Sequence, residues 1–150
     1  MPNTKTNYRD GDAYTRLSKR AGYRSRASLK LKEILKKDIS IKKGMSIIDL
    51  GSFPGGWTQV VKESVGNKGT VVAVDIQNMK EIKGTYFILK SIAELEDNDF
   101  GEFREKVPFD LVLSDIAPNI SGIRETDDAQ MIYLVENVLS VIDKFLKKGG

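Results

Sequence analysis

The chain has 150 residues, 40% of them hydrophobic and 30% charged, and a formal net charge of +3, which suits one domain around a single core. It contains no cysteine and no histidine, which excludes disulfides, thiolate nucleophiles, the usual general base and the commonest zinc ligand, so no metal site is expected. With no run of about 18 apolar residues and a polar start lacking an apolar signal core, a cytoplasmic protein without membrane contacts is expected.

The charge is unevenly spread. Of the 24 Lys and Arg and 21 Asp and Glu, 13 and 4 respectively lie in residues 1–44, so this stretch carries +9 against −6 for the remainder. A basic arm over residues 1–44 and an acidic body over residues 45–150 predict a polyanion bound at one side. Residues 1–7 are expected to be disordered. Residues 8–20 read as a short helix carrying Arg9, Arg16, Lys19 and Arg20, interrupted at Gly22. Ser25 or Ser28 is expected to cap a helix running to about Lys37, with Leu29, Leu31, Ile34 and Leu35 as its apolar stripe. Arg16, Lys19, Arg20, Arg24 and Arg26 are candidate phosphate contacts, and Tyr8, Tyr14 and Tyr23 candidate platforms for bases. The tyrosines suit ordinary packing against the body equally well.

From Met45 onward strands and helices alternate. Short Val/Ile/Leu-rich runs predict strands over 45–50, 70–75, 86–89 and 109–115, and helices over 57–65 and 127–148. Met131, Leu134, Val135, Val138, Leu139, Ile142 and Leu146 are expected on the inner face of the last helix. Continuous apolar strands between helices imply an α/β fold, a parallel sheet covered on both faces. Such sheets bind ligands beyond the carboxyl ends of their strands, where Gly51, Asp75 and Asp115 fall.

The first of these ends is the run Asp49-Leu50-Gly51-Ser52-Phe53-Pro54-Gly55-Gly56-Trp57, a glycine-rich turn from a strand into a helix. Glycine lets backbone approach a ligand closely, and a helix start offers free N–H donors. The spacing is neither that of a P-loop nor G-x-G-x-x-G, which argues against a dinucleotide oxidoreductase. The turn suits a ligand with a small polar tail, of which S-adenosylmethionine is one. Asp75 follows at the spacing of a carboxylate that accepts from ribose hydroxyls. Asp115 heads Asp115-Ile116-Ala117-Pro118-Asn119, in which Pro118 prevents an immediate helix and holds the loop open. Lys30 taken alone is one basic residue of the arm among many.

Together these segments resemble the FtsJ/RrmJ family of ribosomal RNA 2′-O-ribose methyltransferases. The resemblance runs over roughly residues 16–150, through residues 24–31, 49–59, 74–75 and 113–122, with Tyr133-Leu134-Val135-Glu136 also in keeping. It implies a Rossmann-like S-adenosylmethionine-dependent methyltransferase fold whose substrate is a ribose, a uridine being expected, in 23S RNA of the large ribosomal subunit. Gly51, Ser52, Pro54, Gly55, Gly56 and Trp57 match the family's cofactor turn, with Asp75 at the ribose. The place near the adenine falls on Ser91. Of the family's Lys-Asp-Lys-Glu tetrad, Lys30 matches the first Lys and Asp115 the Asp, and Asp115 also faces the cofactor.

No residue aligns with the second Lys or the Glu of that tetrad. The resemblance therefore implies a fold incomplete at its C-terminal strands, poor cofactor binding, and weak or absent methyl transfer by the 150-residue chain. An apolar edge at Leu111, Val112 and Leu113, covered in an oligomer or bare in a fragment, is expected as well. The alternatives are a module that binds RNA and cofactor without catalysis, or a methyltransferase of the same fold acting on an mRNA cap.

Overall fold

The computed structural model of the chain describes residues 6–150, with side chains from residue 13 onward. Residues 1–5 and the side chains of Tyr8 and Arg9 thus lie outside the described part, while Thr6 and Asn7, expected to be disordered, open the first helix. That helix, α1, spans Thr6–Arg20 and α2 spans Ala27–Lys37; β1 (Ser46–Leu50), α3 (Gly56–Val65), β2 (Thr70–Asp75), β3 (Tyr86–Leu89), β4 (Leu111–Ser114) and α4 (Arg124–Phe145) follow. Two 3-10 stretches, Ile92–Glu94 and Asp97–Lys106, occupy the connection from β3 to β4, where the sequence showed no periodic signal.

The four strands form one parallel sheet in the order β3-β2-β1-β4. β1 is central and buried along its whole length, which explains its unbroken apolar reading. Side chains alternate across it. Ile48 and Leu50 face a cluster with Phe100, Phe109, Val141 and Phe145, where Phe100 meets Phe109 and Phe145 edge-on at 5.4 and 5.1 Å. Ile47 faces Leu31, Trp57, Val60, Val61 and Val65 of α2 and α3 on the other side. The fold is the expected α/β architecture, a parallel sheet flanked by helices.

Several local expectations are corrected. Neither Ser25 nor Ser28 caps α2; Arg26 holds the cap position, and the Ser28 hydroxyl, inside the helix, donates to the Ser25 carbonyl at 2.7 Å. On α4 the residues that reach the core are Val141 and Phe145, with Leu134, Val138, Ile142 and Leu146 half-buried; Met131, Val135 and Leu139 point outward. α4 is apolar on more than one side, so its period alone could not select the inward face. The fourth strand is shorter than 109–115. Phe109 instead pairs with the chain leaving α4: its N–H donates to the Phe145 carbonyl at 2.7 Å, and the Lys147 N–H donates to its carbonyl at 2.9 Å. β4 forms the sheet edge, but Leu111 and Val112 are half-buried and Leu113 is buried, so its side chains present no exposed apolar edge.

Candidate active site

The glycine turn is built on β2. Gly51 and Ser52 N–H both donate to the Val74 carbonyl, at 2.8 and 3.1 Å. Gly51 sits at φ +73°, and a Cβ there would run into the Ile116 side chain. Both features require glycine. Asp75 closes the turn from below: Oδ2 accepts from Phe53 N–H and Oδ1 from Gln77 N–H, each at 2.8 Å. Each oxygen keeps a further lone pair for a ligand hydroxyl.

These elements frame a cleft of about 490 Å³ at the carboxyl ends of the strands. Gly51, Asp75, Ser91 and Asp115, all singled out in the sequence, line it. Ser91 uses its hydroxyl to accept from Ala93 N–H at 3.3 Å, capping the short 3-10 turn. Ser52, Pro54, Gly55, Gly56 and Trp57 are not among its lining residues. Ser52 is buried with its Oγ 3.8 Å from Met79 Sδ. Gly55 and Gly56 open α3 in close contact with Arg24, Ser25 and Ile82. Trp57 is a core residue whose Nε1 donates to the Ala27 carbonyl at 2.8 Å, fastening α3 to α2. The small residues after Gly51 thus make room for the N-terminal segment.

Sequence reasoning missed the apolar walls of the cleft. Ile76, Ile92 and Ile116 each follow a polar residue already singled out, so adjacency to the strand ends was a usable signal. Tyr133 and Leu134 reach the cleft from α4, and nothing local in the sequence indicates that.

A second cavity of about 450 Å³ adjoins the first and is lined by Tyr14, Arg26, Ala27, Lys30, Glu33 and Asp115. Asp115 is the one residue lining both. Its Oδ1 lies 3.5 Å from Lys30 Nζ, with the two side chains 39% and 64% exposed. Arg16, Lys19 and Arg20 project into solvent from α1, and Arg26 is exposed beside Lys30. Arg24 does not join them; its guanidinium turns to the loops of the first cleft. Tyr23 is buried, its hydroxyl donating to Glu63 at 2.6 Å with Lys32 Nζ 4.4 Å from the ring centre. That leaves Tyr14 as the described arm tyrosine free to face a ligand.

A third carboxylate lies beneath the turn. Asp49 is 1% exposed and accepts from the Thr58 hydroxyl at 2.7 Å. Burial pushes its pKa up to about 7 against the opposing Thr58 hydrogen bond, and the negative charges of Asp115 and Asp75 add to the rise. Asp75 and Asp115 stand at the ends of strands on either side of β1 and line the cleft, so their charges favour a cation there.

A glycine turn after the central strand, a carboxylate after the next, and a second carboxylate across the cleft define a Rossmann-like methyltransferase. Residues 23–150 match the model of the FtsJ-like methyltransferase family, and the chain belongs to that family. A ribosomal RNA large subunit methyltransferase E from Hahella chejuensis is 44% identical over 96% of the chain and 70% of that protein. One of the same name from Pseudomonas aeruginosa is 42% identical over 93% of the chain and 68% of that protein. Among solved structures, a Plasmodium falciparum protein assigned as a ribosomal RNA methyltransferase superposes with a TM-score of 0.77 at 29% identity, covering 83% of this chain and 73% of its own. A fibrillarin from Aeropyrum pernix, crystallised with S-adenosylmethionine, shares the fold at a TM-score of 0.51 and 20% identity.

Proposed function

We propose that the chain transfers a methyl group from S-adenosylmethionine to the 2′-hydroxyl of a ribose, a uridine, in 23S RNA of the large ribosomal subunit. The observation that carries this reading is the shared wall: Asp115 lines both cavities and pairs with Lys30. A group held there faces a donor on one side and an acceptor on the other.

The cleft fits the cofactor by its own chemistry. Asp75 offers carboxylate lone pairs to ribose hydroxyls, Ser91 a hydroxyl near the base, and Ile76 and Ile92 apolar surface for the ring. Gly51 lets the Ile116 side chain close against the turn, and the carboxylates of Asp75 and Asp115 on the cleft wall favour a positive sulfur. When bound, S-adenosylmethionine supplies a methyl group activated by that positive charge. Asp115 would accept the hydrogen bond of the 2′-hydroxyl and take up its proton as the methyl passes from sulfur to oxygen, while Lys30 would donate to the sugar or its phosphate, so that the oxygen is presented in line. Arg16, Lys19, Arg20 and Arg26 hold RNA phosphates on the arm side. The large-subunit methyltransferases at 42–44% identity support the choice of substrate, and a cytoplasmic setting goes with it.

The test pairs calorimetry of S-adenosylmethionine binding with labelled methyl transfer to large-subunit RNA lacking the modification. One bound cofactor and a methyl on a ribose, seen as an alkali-resistant linkage, is the expected result. Label on a base would overturn the reading. Binding of both ligands without any transfer would favour a non-catalytic binding module.

A further inference from the structure

We propose that Arg24 is a positioning residue that ties the RNA-facing arm to both loops of the cofactor cleft and thereby couples the two binding events. The segment from α1 to α2 crosses the start of α3, where Arg24 N–H donates to Gln59 Oε1 at 2.9 Å. Its guanidinium then spans two loops. Nη1 donates to the Pro54 carbonyl at 3.2 Å and the Lys80 carbonyl at 2.6 Å, and Nη2 donates to the Glu81 carbonyl at 2.8 Å. Pro54 belongs to the glycine turn, whose Gly51 and Phe53 line the cleft. Lys80 and Glu81 belong to the irregular stretch 76–84, whose first residues Ile76 and Gln77 line its other side. The planar fork of a guanidinium spreads its donors over separate nitrogens and so reaches three carbonyls on two segments; a lysine ammonium gathers its three donors on one nitrogen.

Two residues further on, Arg26 lines the second cavity with Lys30. One short segment therefore serves both cavities, Arg24 inward and Arg26 outward. RNA that fixes the arm also fixes Arg24 against the two loops, so the cofactor meets a cleft whose ordering is already complete. The coupling is positive, and by linkage the cofactor tightens RNA to the same degree.

The proposal rests on the reading of the two cavities as cofactor and RNA sites, and the test separates the two. Arg24→Lys and Arg24→Ala are compared with the unchanged chain for S-adenosylmethionine affinity, with and without saturating large-subunit RNA, and for RNA affinity without cofactor. Both variants are expected to bind cofactor about tenfold more weakly and to lose its enhancement by RNA. RNA affinity of Arg24→Lys should stay within about twofold, since the charge is kept. Amide exchange should accelerate in residues 52–56 and 76–84 but not in β1, with or without ligand. Lost RNA affinity at unchanged cofactor affinity, or unaltered exchange in both loops, would overturn the proposal. If the unchanged chain binds no cofactor, the cofactor reading fails, and the exchange result still decides whether Arg24 holds the loops.

Discussion

Asp49 shows how burial converts a carboxylate into a pH-sensitive element of stability. The folded state keeps its proton up to about pH 7, whereas an unfolded chain releases it near 3.8. Between these values the native state binds more protons, so unfolding free energy falls as pH rises, and Asp49's contribution is lost above about 7. Asn at this position retains an acceptor for Thr58 and cannot ionise. Asp49→Asn is expected to flatten the decline between pH 5 and 8 and to melt several degrees above the parent at pH 8, by an amount on the order of a few kcal/mol. Thermal melts across that range check it, and a steeper decline in the variant would contradict the assignment. Lys30 and Asp115 give the opposite signature. Their ion pair is well exposed and worth no more than about 1 kcal/mol. Lys30→Ala and Asp115→Asn should therefore barely move the melting temperature while lowering methyl transfer by about a hundredfold or more. Equal losses of stability and rate would make the pair structural.

Secondary-structure elements set the positions of these groups. The glycine turn depends on one φ value and one close approach, both at Gly51. Gly51→Ala adds left-handed strain of about 1–2 kcal/mol and pushes Ile116 and its loop off the cleft. The expected result is at least a tenfold loss of cofactor affinity by calorimetry, with a lower melting point. Gly56→Ala should instead disturb the junction with Ser25, since that is what lies against it. The start of α4 is fixed similarly: Asp127 accepts from Ser121 N–H and Oγ and from Gly122 N–H at 2.8, 2.7 and 3.2 Å. Those bonds hold its carboxyl below the ordinary range and anchor the far end of the loop that begins at Asp115. The strands and α3 were legible because their apolar runs are uninterrupted and their turns carry glycine. The inner face of α4 was not legible, because Met131, Val135 and Leu139 are as apolar as Val141 and Phe145 and only the packing partner distinguishes them.

Across the whole molecule the charge is polarised, with a basic arm set against an acidic body whose cleft carries Asp75 and Asp115 on its walls. Phosphate contacts release counterions, so RNA affinity should fall linearly with log salt. Replacing Arg16, Lys19 and Arg20 together by Ala is expected to reduce that slope by about 2–3 and to leave S-adenosylmethionine affinity unchanged, because these side chains lie on α1 away from the cleft lining. Filter binding from low to moderate salt checks the slope. An unaltered slope would move the RNA surface elsewhere. No helix among the described residues is long and apolar enough to cross a membrane.

The order of elements, the parallel sheet and the three strand-end positions Gly51, Asp75 and Asp115 were readable from the chain alone, because each depends on local pattern: apolar runs, a glycine spacing, an acid closing a strand. The pairing of Lys30 with Asp115, 85 positions apart in the chain, needed the fold and entered the sequence reading only through family resemblance. Local pattern contained no sign of the rest. Arg24 and Arg26 are identical in the sequence and two residues apart, yet the fold turns one into the cofactor loops and leaves the other facing the second cavity. Asp49 reads as part of a motif until α3 covers it and burial shifts its proton. Burial, carbonyl geometry and the choice of helix face are properties of what packs against a residue, and those neighbours come from distant parts of the chain.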